Sequence, residues 1–408
     1  MRLRLVLALC APLGIAAPRA AAEPRPRPLT VELLLAGPGD ELYTRFGHSA
    51  LRVRGGGRFD LVYNYGYTNF GGPGLIPRFL RGRARFWVAA LAYPVAVRDY
   101  RDEDRSLYLR PLRLSPSQTT ELVTLLETNA RPENRAYAYH HYDDNCATRL
   151  RDLVDRVTRG ALRERLAGMP SGHTLRDLTR AGFAGRLGVL LLTELLVGRR
   201  VDEPIDRWRA AFLPRLLDQE LRDAGLAEEW AAILHRRGAP SPLDHDPLAG
   251  VKLLWAAAAL SVLLAAGMAL LARRRSRWSG LVLLVLALPL GLAALLIWAL
   301  AIYSSLPELR GNELLLVLWP TDLALLWPAV RWLRGRLHAG RPLRVYATIR
   351  AGVIALAALG HLVGVLVQQP RAWLLASAAL AVGLLLALRA LPRAPGPTSS
   401  TTAGAQSS

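Results

Sequence analysis

The strongest constraint on this chain lies in its second half. Between Val251 and Leu388, apolar residues run in stretches long enough to cross a bilayer, broken by short loops. Crossing the hydrocarbon core takes about 20 apolar residues in a helix. Lipid offers backbone groups no water partners, so such stretches fold as helices. Five spans are expected, at residues 251–272, 280–303, 314–330, 351–368 and 372–388. Arg273, Arg274, Arg275 and Arg277 follow the first; Arg331, Arg334, Arg336, Arg341 and Arg344 follow the third; Arg389 and Arg393 follow the fifth. The intervening loops carry only Arg310 and Arg371. Positive charge marks the cytoplasmic side, so residues 23–250 belong outside.

The N-terminus agrees with that topology. Residues 1–22 have the layout of a secretory signal: Arg2 and Arg4, an apolar stretch over 5–17, and Ala20-Ala21-Ala22 as a cleavage site. Cys10 lies inside this segment behind Leu9, a poor context for lipid attachment. With the signal removed, Cys146 is the one remaining cysteine, so an internal disulfide is excluded and a reactive thiol is worth considering. The formal charge of +20 is carried by arginine, with Lys252 the one lysine. These arginines are scattered and no nucleic-acid module accompanies them; an anionic membrane surface suits them better. The expected organisation is a signal at 1–22, an extracytoplasmic domain over 23–245, a membrane domain over 250–390, and a disordered cytoplasmic tail over 391–408.

Within the exported domain, residues 29–35, 48–54, 59–65 and 105–112 read as strands, with Gly55–Gly57 as a hairpin turn. Residues 78–86 suggest a short basic helix. Ser115 opens a helix running to Asn129, and Asp144 or Asn145 caps another from Cys146 to about Arg159. Residues 160–245 read as mostly helical, with breaks near Pro170 and Pro204.

Cys146 is the first candidate for chemistry, because a helix N-terminus stabilises a thiolate. A thiol nucleophile needs a base, most often histidine, close in space. His48 at a strand start is one choice; His140 and His141, just before Cys146, are rivals. A third group must orient the base. Asp60 stands twelve residues past His48, across the Gly-rich turn, and Asn64 and Tyr65 are further candidates. Asn145 and Arg149 flank the thiol as supporting or substrate-binding residues. No His/Asp/Glu spacing typical of a metal site is present, nor a Walker-type phosphate loop, so neither metal nor cofactor is expected. Asp322, inside the third span, is costly in lipid and favours a compensating partner; the readings are a polar pocket beneath the site, or simple snorkelling or a helix break at Pro320.

Several stretches resemble the Lnb N-terminal periplasmic domain family: Phe46-Gly47-His48-Ser49, the run from Asp60 to Gly66, Phe79-Leu80-Arg81-Gly82, the run from Pro132 to Tyr139, and Asp144-Asn145-Cys146-Ala147-Thr148-Arg149. The resemblance spans about residues 30–200, and Asn312-Glu313-Leu314 with Trp319-Pro320 is similar to multi-span members. It implies an α+β extracytoplasmic domain of permuted papain-like type, related to NlpC and lecithin retinol acyltransferase, in which a strand histidine precedes a helix-start cysteine. It also implies that Asp60 fills the third position. The implied activity is lipoprotein transacylation: an acyl chain moves from a diacylglyceryl ester onto an N-terminal amine through a Cys thioester. The implied partners are membrane lipids or lipoproteins. Two other readings stand beside it: an envelope cysteine peptidase or amidase acting on peptidoglycan or protein, and a non-enzymatic assembly factor.

Overall fold

The computed structural model describes residues 28–55, 59–238, 241 and 244–392. The expected signal, the turn residues 56–58 and the tail beyond residue 392 lie outside the described residues.

The strands of the N-terminal half are β1 (Thr30–Ala36), β2 (His48–Gly55), β3 (Phe59–Tyr67), β4 (Arg85–Ala92), β5 (Leu107–Pro111), β6 (Ala136–Ala138), β7 (Pro170–Thr174), β8 (Pro204–Asp206) and β9 (Ala231–Leu234). Seven of them form one sheet in the order β6-β4-β3-β2-β1-β5-β9, and every pairing is antiparallel. The helices among them are α1 (Leu75–Leu80), α2 (Tyr93–Asp102), α3 (Pro116–Ala130), α4 (Cys146–Val157), α5 (Ala161–Leu166), α6 (Leu175–Phe183), α7 (Leu187–Leu196), α8 (Arg207–Ala210) and α9 (Pro214–Asp223).

Side chains alternate across a strand, so the sheet has two apolar faces. Val31, Leu33, Leu51, Val53 and Tyr63 pack with Leu122 and Leu126 of α3 and Leu150 and Val154 of α4. Leu34, Ala36, Ala50 and Val62 face Ala96, Val97 and Tyr100 of α2. Leu33, Leu34 and Leu51 are almost wholly buried, each worth about 1.5–3 kcal/mol relative to exposure. The sheet is thus covered on both sides and fixes where α4 begins.

Two local expectations change. The basic helix expected over 78–86 forms earlier, as α1, and Arg85 and Phe86 instead start β4, paired to Ala138 and Tyr137. The breaks near Pro170 and Pro204 are not bare loops: β7 and β8 pair there as a two-stranded ribbon.

The C-terminal half is helical: α10 (Ala249–Arg273), α11 (Trp278–Tyr303), α12 (Pro307–Arg310), α13 (Leu326–Leu333), α14 (Arg341–Leu362) and α15 (Ala372–Ala390). Four of these helices are long and apolar enough to cross a membrane, or five passes if the bent pair Pro307–Leu316 and Pro320–Leu333 counts as one. Small residues let the helices approach closely: a side chain on Gly383 of α15 would stand 2.7 Å from Ala265 Cβ of α10.

The expected third span is not a continuous helix. It bends by 45° and includes 3₁₀ turns at Glu313–Leu316 and Pro320–Leu325. Pro320 has no N–H to continue a helix. The freed carbonyls are met by side chains: Leu318 O accepts from Trp298 Nε1 at 2.9 Å and Val317 O from Arg350 Nη1 at 2.9 Å. The segment nevertheless runs antiparallel along α11, with Leu318 beside Trp298, Leu323 against Gly291, and Ala329 and Leu333 against Gly280. The expected fourth span also shifts, to Arg341–Leu362. Arg350, one residue before the expected start, is buried against Asp322, with Nη2 2.6 Å and Nε 3.1 Å from the carboxylate oxygens; Tyr346 donates a third bond at 2.7 Å. Asp322 therefore has its partner within the bundle, and the pair braces the broken span to α14.

The arginine-poor loops of the bundle clasp the N-terminal domain. Ser304 Oγ donates to Leu80 O at 2.6 Å and Ser305 Oγ to Arg81 O at 2.7 Å. Gly198 N–H donates to Glu308 O at 2.6 Å, and Asn312 Nδ2 to Leu195 O at 2.8 Å. Gln368 Nε2 reaches both Val197 O and Asn312 Oδ1, while Glu313 pairs with Arg199 at 3.2 Å. The domain thus sits on the side that the arginine distribution assigns to the exterior.

Candidate functional site

Cys146 is the first residue of α4, and its position is set by the loop before it. His140 and Asp144 exchange two backbone hydrogen bonds of 3.0 Å, closing a tight turn. Asn145 caps the helix: its Oδ1 accepts from Thr148 N–H at 3.0 Å while its own N–H donates to Thr148 Oγ1 at 2.8 Å. Its Nδ2 donates to His141 O and Phe212 O, anchoring the cap in the domain. First-turn N–H groups have no acceptor within their helix. Asn145 takes that of Thr148, leaving those of Cys146 and Ala147 for an incoming oxygen. Arg149 forks onto Asp144 and lies 4.3 Å over the Tyr137 ring, so it stiffens the same loop.

His48 opens β2 next to the thiol. An ideal side chain on Gly66 would lie 3.8 Å from His48 Cε1, 3.9 Å from Cys146 Cβ and 4.0 Å from Tyr137 Oη. Gly66 has φ of +97°, and the β3–β4 register shifts between Asn64 and Tyr67. A bulge of this kind bends a strand and re-aims its side chains; here it opens the space in which the three groups converge.

His48 Nε2 lies 3.1 Å from Asn64 Oδ1, which also accepts from Tyr100 Oη at 3.3 Å. A carboxamide oxygen already taking a hydroxyl proton holds His48 in the tautomer with hydrogen on Nε2. Nδ1 is then the nitrogen left for Cys146. Burial pushes the half-buried thiol up. The charge and hydrogen bond of His48, with the Ser49 backbone N–H, outweigh that and bring it down to about 7. The Ser49 hydroxyl also faces the sulfur, though at a geometry too poor for a regular hydrogen bond. The Tyr137 hydroxyl is buried and has no hydrogen-bond partner among the described residues. Burial and the neighbouring thiolate push its pKa upward, so it stays protonated as a donor.

The other candidates lie elsewhere. Asp60 is not beside His48: the β2–β3 register sets it opposite Arg54, at the far end of the hairpin. There it pairs with Arg52 at 2.7 Å, in a cluster with Glu32 and the Tyr93 ring. A tight hairpin pairs strand ends next to the turn, so twelve residues of separation place Asp60 by the turn and not by His48. Asn64, two residues short of the position facing His48 in that register, reaches it across the bulge. Tyr65 points to the face opposite His48 and Asn64, where its ring stands 6.3 Å from that of Tyr137 and its hydroxyl accepts from Asn129 Nδ2 at 2.8 Å. His141 packs against Phe46, Tyr142 and Phe212, and burial lowers its pKa to about 4. His140 turns toward Glu308 of the bundle's outer loop, at 3.3 Å, and Asp143.

His140, Asp143 and Glu308 bring potential metal-ligating atoms within 4.8 Å of one another. Arg200 lies 3.4 Å from Glu308 and 3.8 Å from Asp143, and Arg209 lies 3.8 Å from Asp143. Their charges already offset the carboxylates, and the group reads as an ion network between domain and bundle. Sequence spacing gave no sign of it, because Glu308 joins from across the membrane domain. Tyr100 and Tyr137 were likewise unmarked as site residues; the one available signal was an amide, Asn64, amid the apolar and aromatic residues of β3.

No curated protein and no solved structure matches the chain. Residues 17–181 match the family model described as the Lnb N-terminal periplasmic domain. That stretch holds β1 to β7, His48, Asn64 and Cys146, and the motifs whose resemblance was noted in the sequence. This is a membrane protein with an extracytoplasmic N-terminal domain, and over residues 17–181 it is similar to the Lnb N-terminal periplasmic domain family.

Proposed function

We propose that this protein is a thiol acyltransferase on the outer face of the bacterial cytoplasmic membrane, moving an acyl chain from a lipid or lipoprotein ester to an amine. One observation carries the reading: a thiol whose pKa is brought down to about 7 by His48, itself oriented by Asn64, in a domain clasped to a membrane bundle. The strand-histidine, helix-cysteine order supports a permuted papain-like arrangement of the domain.

In the first half-reaction His48 Nδ1 takes the proton of Cys146, and the thiolate attacks the ester carbonyl. The carbonyl oxygen becomes an oxyanion, met by the N–H groups of Cys146 and Ala147 and by the Tyr137 hydroxyl. The C–O bond breaks, and the alcohol leaves with the proton held on His48. The product on the enzyme is a Cys146 thioester. In the second half-reaction an amine attacks that thioester, gives its proton to His48, and forms an amide as the C–S bond breaks. The Cys146 sulfur then recovers the proton. Water in place of the amine would make the same site a hydrolase.

Mass spectrometry of envelope lipids and lipoproteins is the test, comparing cells with the wild-type chain and with Cys146→Ala. N-acylated, lyso-form lipoproteins present only with the wild type are the expected outcome. Unchanged lipoproteins together with altered peptidoglycan fragments would replace this reading by the amidase one.

A further inference from the structure

We infer that the α1 segment from Ile76 to Arg83 is a contact surface for anionic phospholipid headgroups in the outer leaflet beside the bundle. This goes beyond the acyl-transfer reading and does not depend on it.

Charge is the first observation. From Leu61 to Arg98 the chain holds no aspartate or glutamate, but it holds Arg78, Arg81, Arg83, Arg85 and Arg98. Arg78, Arg81 and Arg83 are exposed and form no ion pair among the described residues. Arg52, Arg110, Arg149, Arg176 and Arg180 of the same domain, by contrast, each find a carboxylate. Three guanidinium groups left in solvent, each with a fork of donors suited to phosphate, form a patch that lacks its counter-charge among the described residues.

Height is the second. The end of α1 is fastened to the outer end of α11 by the Ser304–Leu80 and Ser305–Arg81 hydrogen bonds, and the Arg81 guanidinium lies 5.9 Å from the Tyr303 ring centre. Gly82, at φ +70°, sits so close that an added Cβ would stand 2.4 Å from Ser305 Oγ. The attachment therefore allows no sliding. Helix α11 has 26 residues, about 39 Å at the α-helical rise, against a hydrocarbon core of about 30 Å. Its outer end stands in the headgroup layer, and Ile302 and Tyr303 there are 74% and 67% exposed. Held at that level, Ile76 is 63% exposed on α1, an apolar tip beside the basic patch. A charged patch with one apolar side chain, continuous with a lipid-facing helix end, fits a lipid surface better than a soluble acidic peptide. The peptide would leave Ile76 and Tyr303 without a partner.

The full chain in nanodiscs of phosphatidylcholine provides the test, using trace phosphatidylglycerol or trace phosphatidylcholine with a photoreactive group near the headgroup. Adducts are mapped by mass spectrometry. Adducts on residues 75–85 should favour phosphatidylglycerol and fall with salt. Arg78→Gln with Arg81→Gln and Arg83→Gln should abolish the preference, bringing the yields from the two lipids level. The triple lysine variant should retain it, which separates loss of charge from loss of fold. Equal yields from both lipids, an unchanged preference in the glutamine variant, or absence of adducts on this segment with either lipid would each overturn the inference.

Discussion

Replacing His48 with alanine tests the electrostatics of the site directly. In the native domain Cys146 carries two opposed influences: burial, which favours the neutral thiol, and His48 with Ser49, which favour the thiolate and win, giving a value of about 7. With the imidazole gone, burial is opposed only by the Ser49 N–H and the α4 helix end. The thiol should then titrate at or above its ordinary value, near 8.5–9. At pH 7 the thiolate fraction would fall from about one half to a few per cent, so alkylation should slow by about 15- to 50-fold. The assay is the pH dependence of alkylation by a membrane-impermeant reagent on intact full-length protein. The wild type should show an inflection near 7 and label from outside the cytoplasmic membrane. A His48→Ala protein that keeps the inflection near 7 would show that the helix end and Ser49 set the thiol, and would remove His48 as the base. Labelling only after the inner membrane is lysed would overturn the topology.

Other substitutions separate the candidates that the sequence left open. Asn64→Ala should lower turnover by about a hundredfold or more with the domain still folded, whereas Asp60→Asn, which touches only the Arg52 cluster, should leave turnover within about twofold; comparable losses in both would contradict the geometry. Asp322→Leu leaves the Arg350 guanidinium buried alone and should destabilise the protein by about 3–5 kcal/mol, with Asp322→Leu/Arg350→Leu recovering most of it in detergent melts; a neutral single variant would mean the pair braces nothing. For the His140–Glu308 contact, burial lowers His140, but Glu308 and Asp143 more than offset this and raise it; burial raises Glu308, but His140 and Arg200 bring it below its ordinary value. A raised histidine contributes stability that is complete below its unfolded pKa of about 6.5 and is lost as pH rises through its folded value. A lowered carboxyl contributes above its unfolded value of about 4.3 and loses that as pH falls through its folded one. Thermal stability should thus be best in mildly acidic buffer and decline above neutrality, and Glu308→Gln should flatten that decline; an identical alkaline decline in the variant would exclude the contact as its source.

Much of this architecture was written in local pattern. Arginine placement gave the sidedness of the bundle, and the Ser115 and Asn145 caps located the helix starts at Pro116 and Cys146. What stayed hidden depended on register and on distant charge. Asp60 looked suitable because separation along a hairpin was taken for proximity, while a bulge at Gly66 delivered Asn64 instead. A break of the third span at Pro320 was legible as an alternative, but hydropathy does not register that Trp298 and Arg350 meet the freed carbonyls. Helix α14 begins ten residues before the expected span, and the partner that shelters its Arg350, Asp322, lies on a different segment where local pattern does not register it. Glu308 offered no local signal at all, since its partner His140 is remote in sequence.

The clasp formed by Asn312, Gln368 and the two serines at the end of α11 has a kinetic consequence. A domain fastened at Leu80–Arg81 and again at Leu195–Arg199 cannot swing on a tether, so Cys146 stays at one stand-off distance from the bilayer. Search for a reaction partner is then a problem in two dimensions: molecules anchored in the same membrane are presented at a constant height, and their encounter rate scales with surface density. A freely dissolved partner gains nothing from that arrangement. Loosening the clasp, for example with Asn312→Ala, would turn a fixed gauge into a pendulum, trading constancy of height for reach.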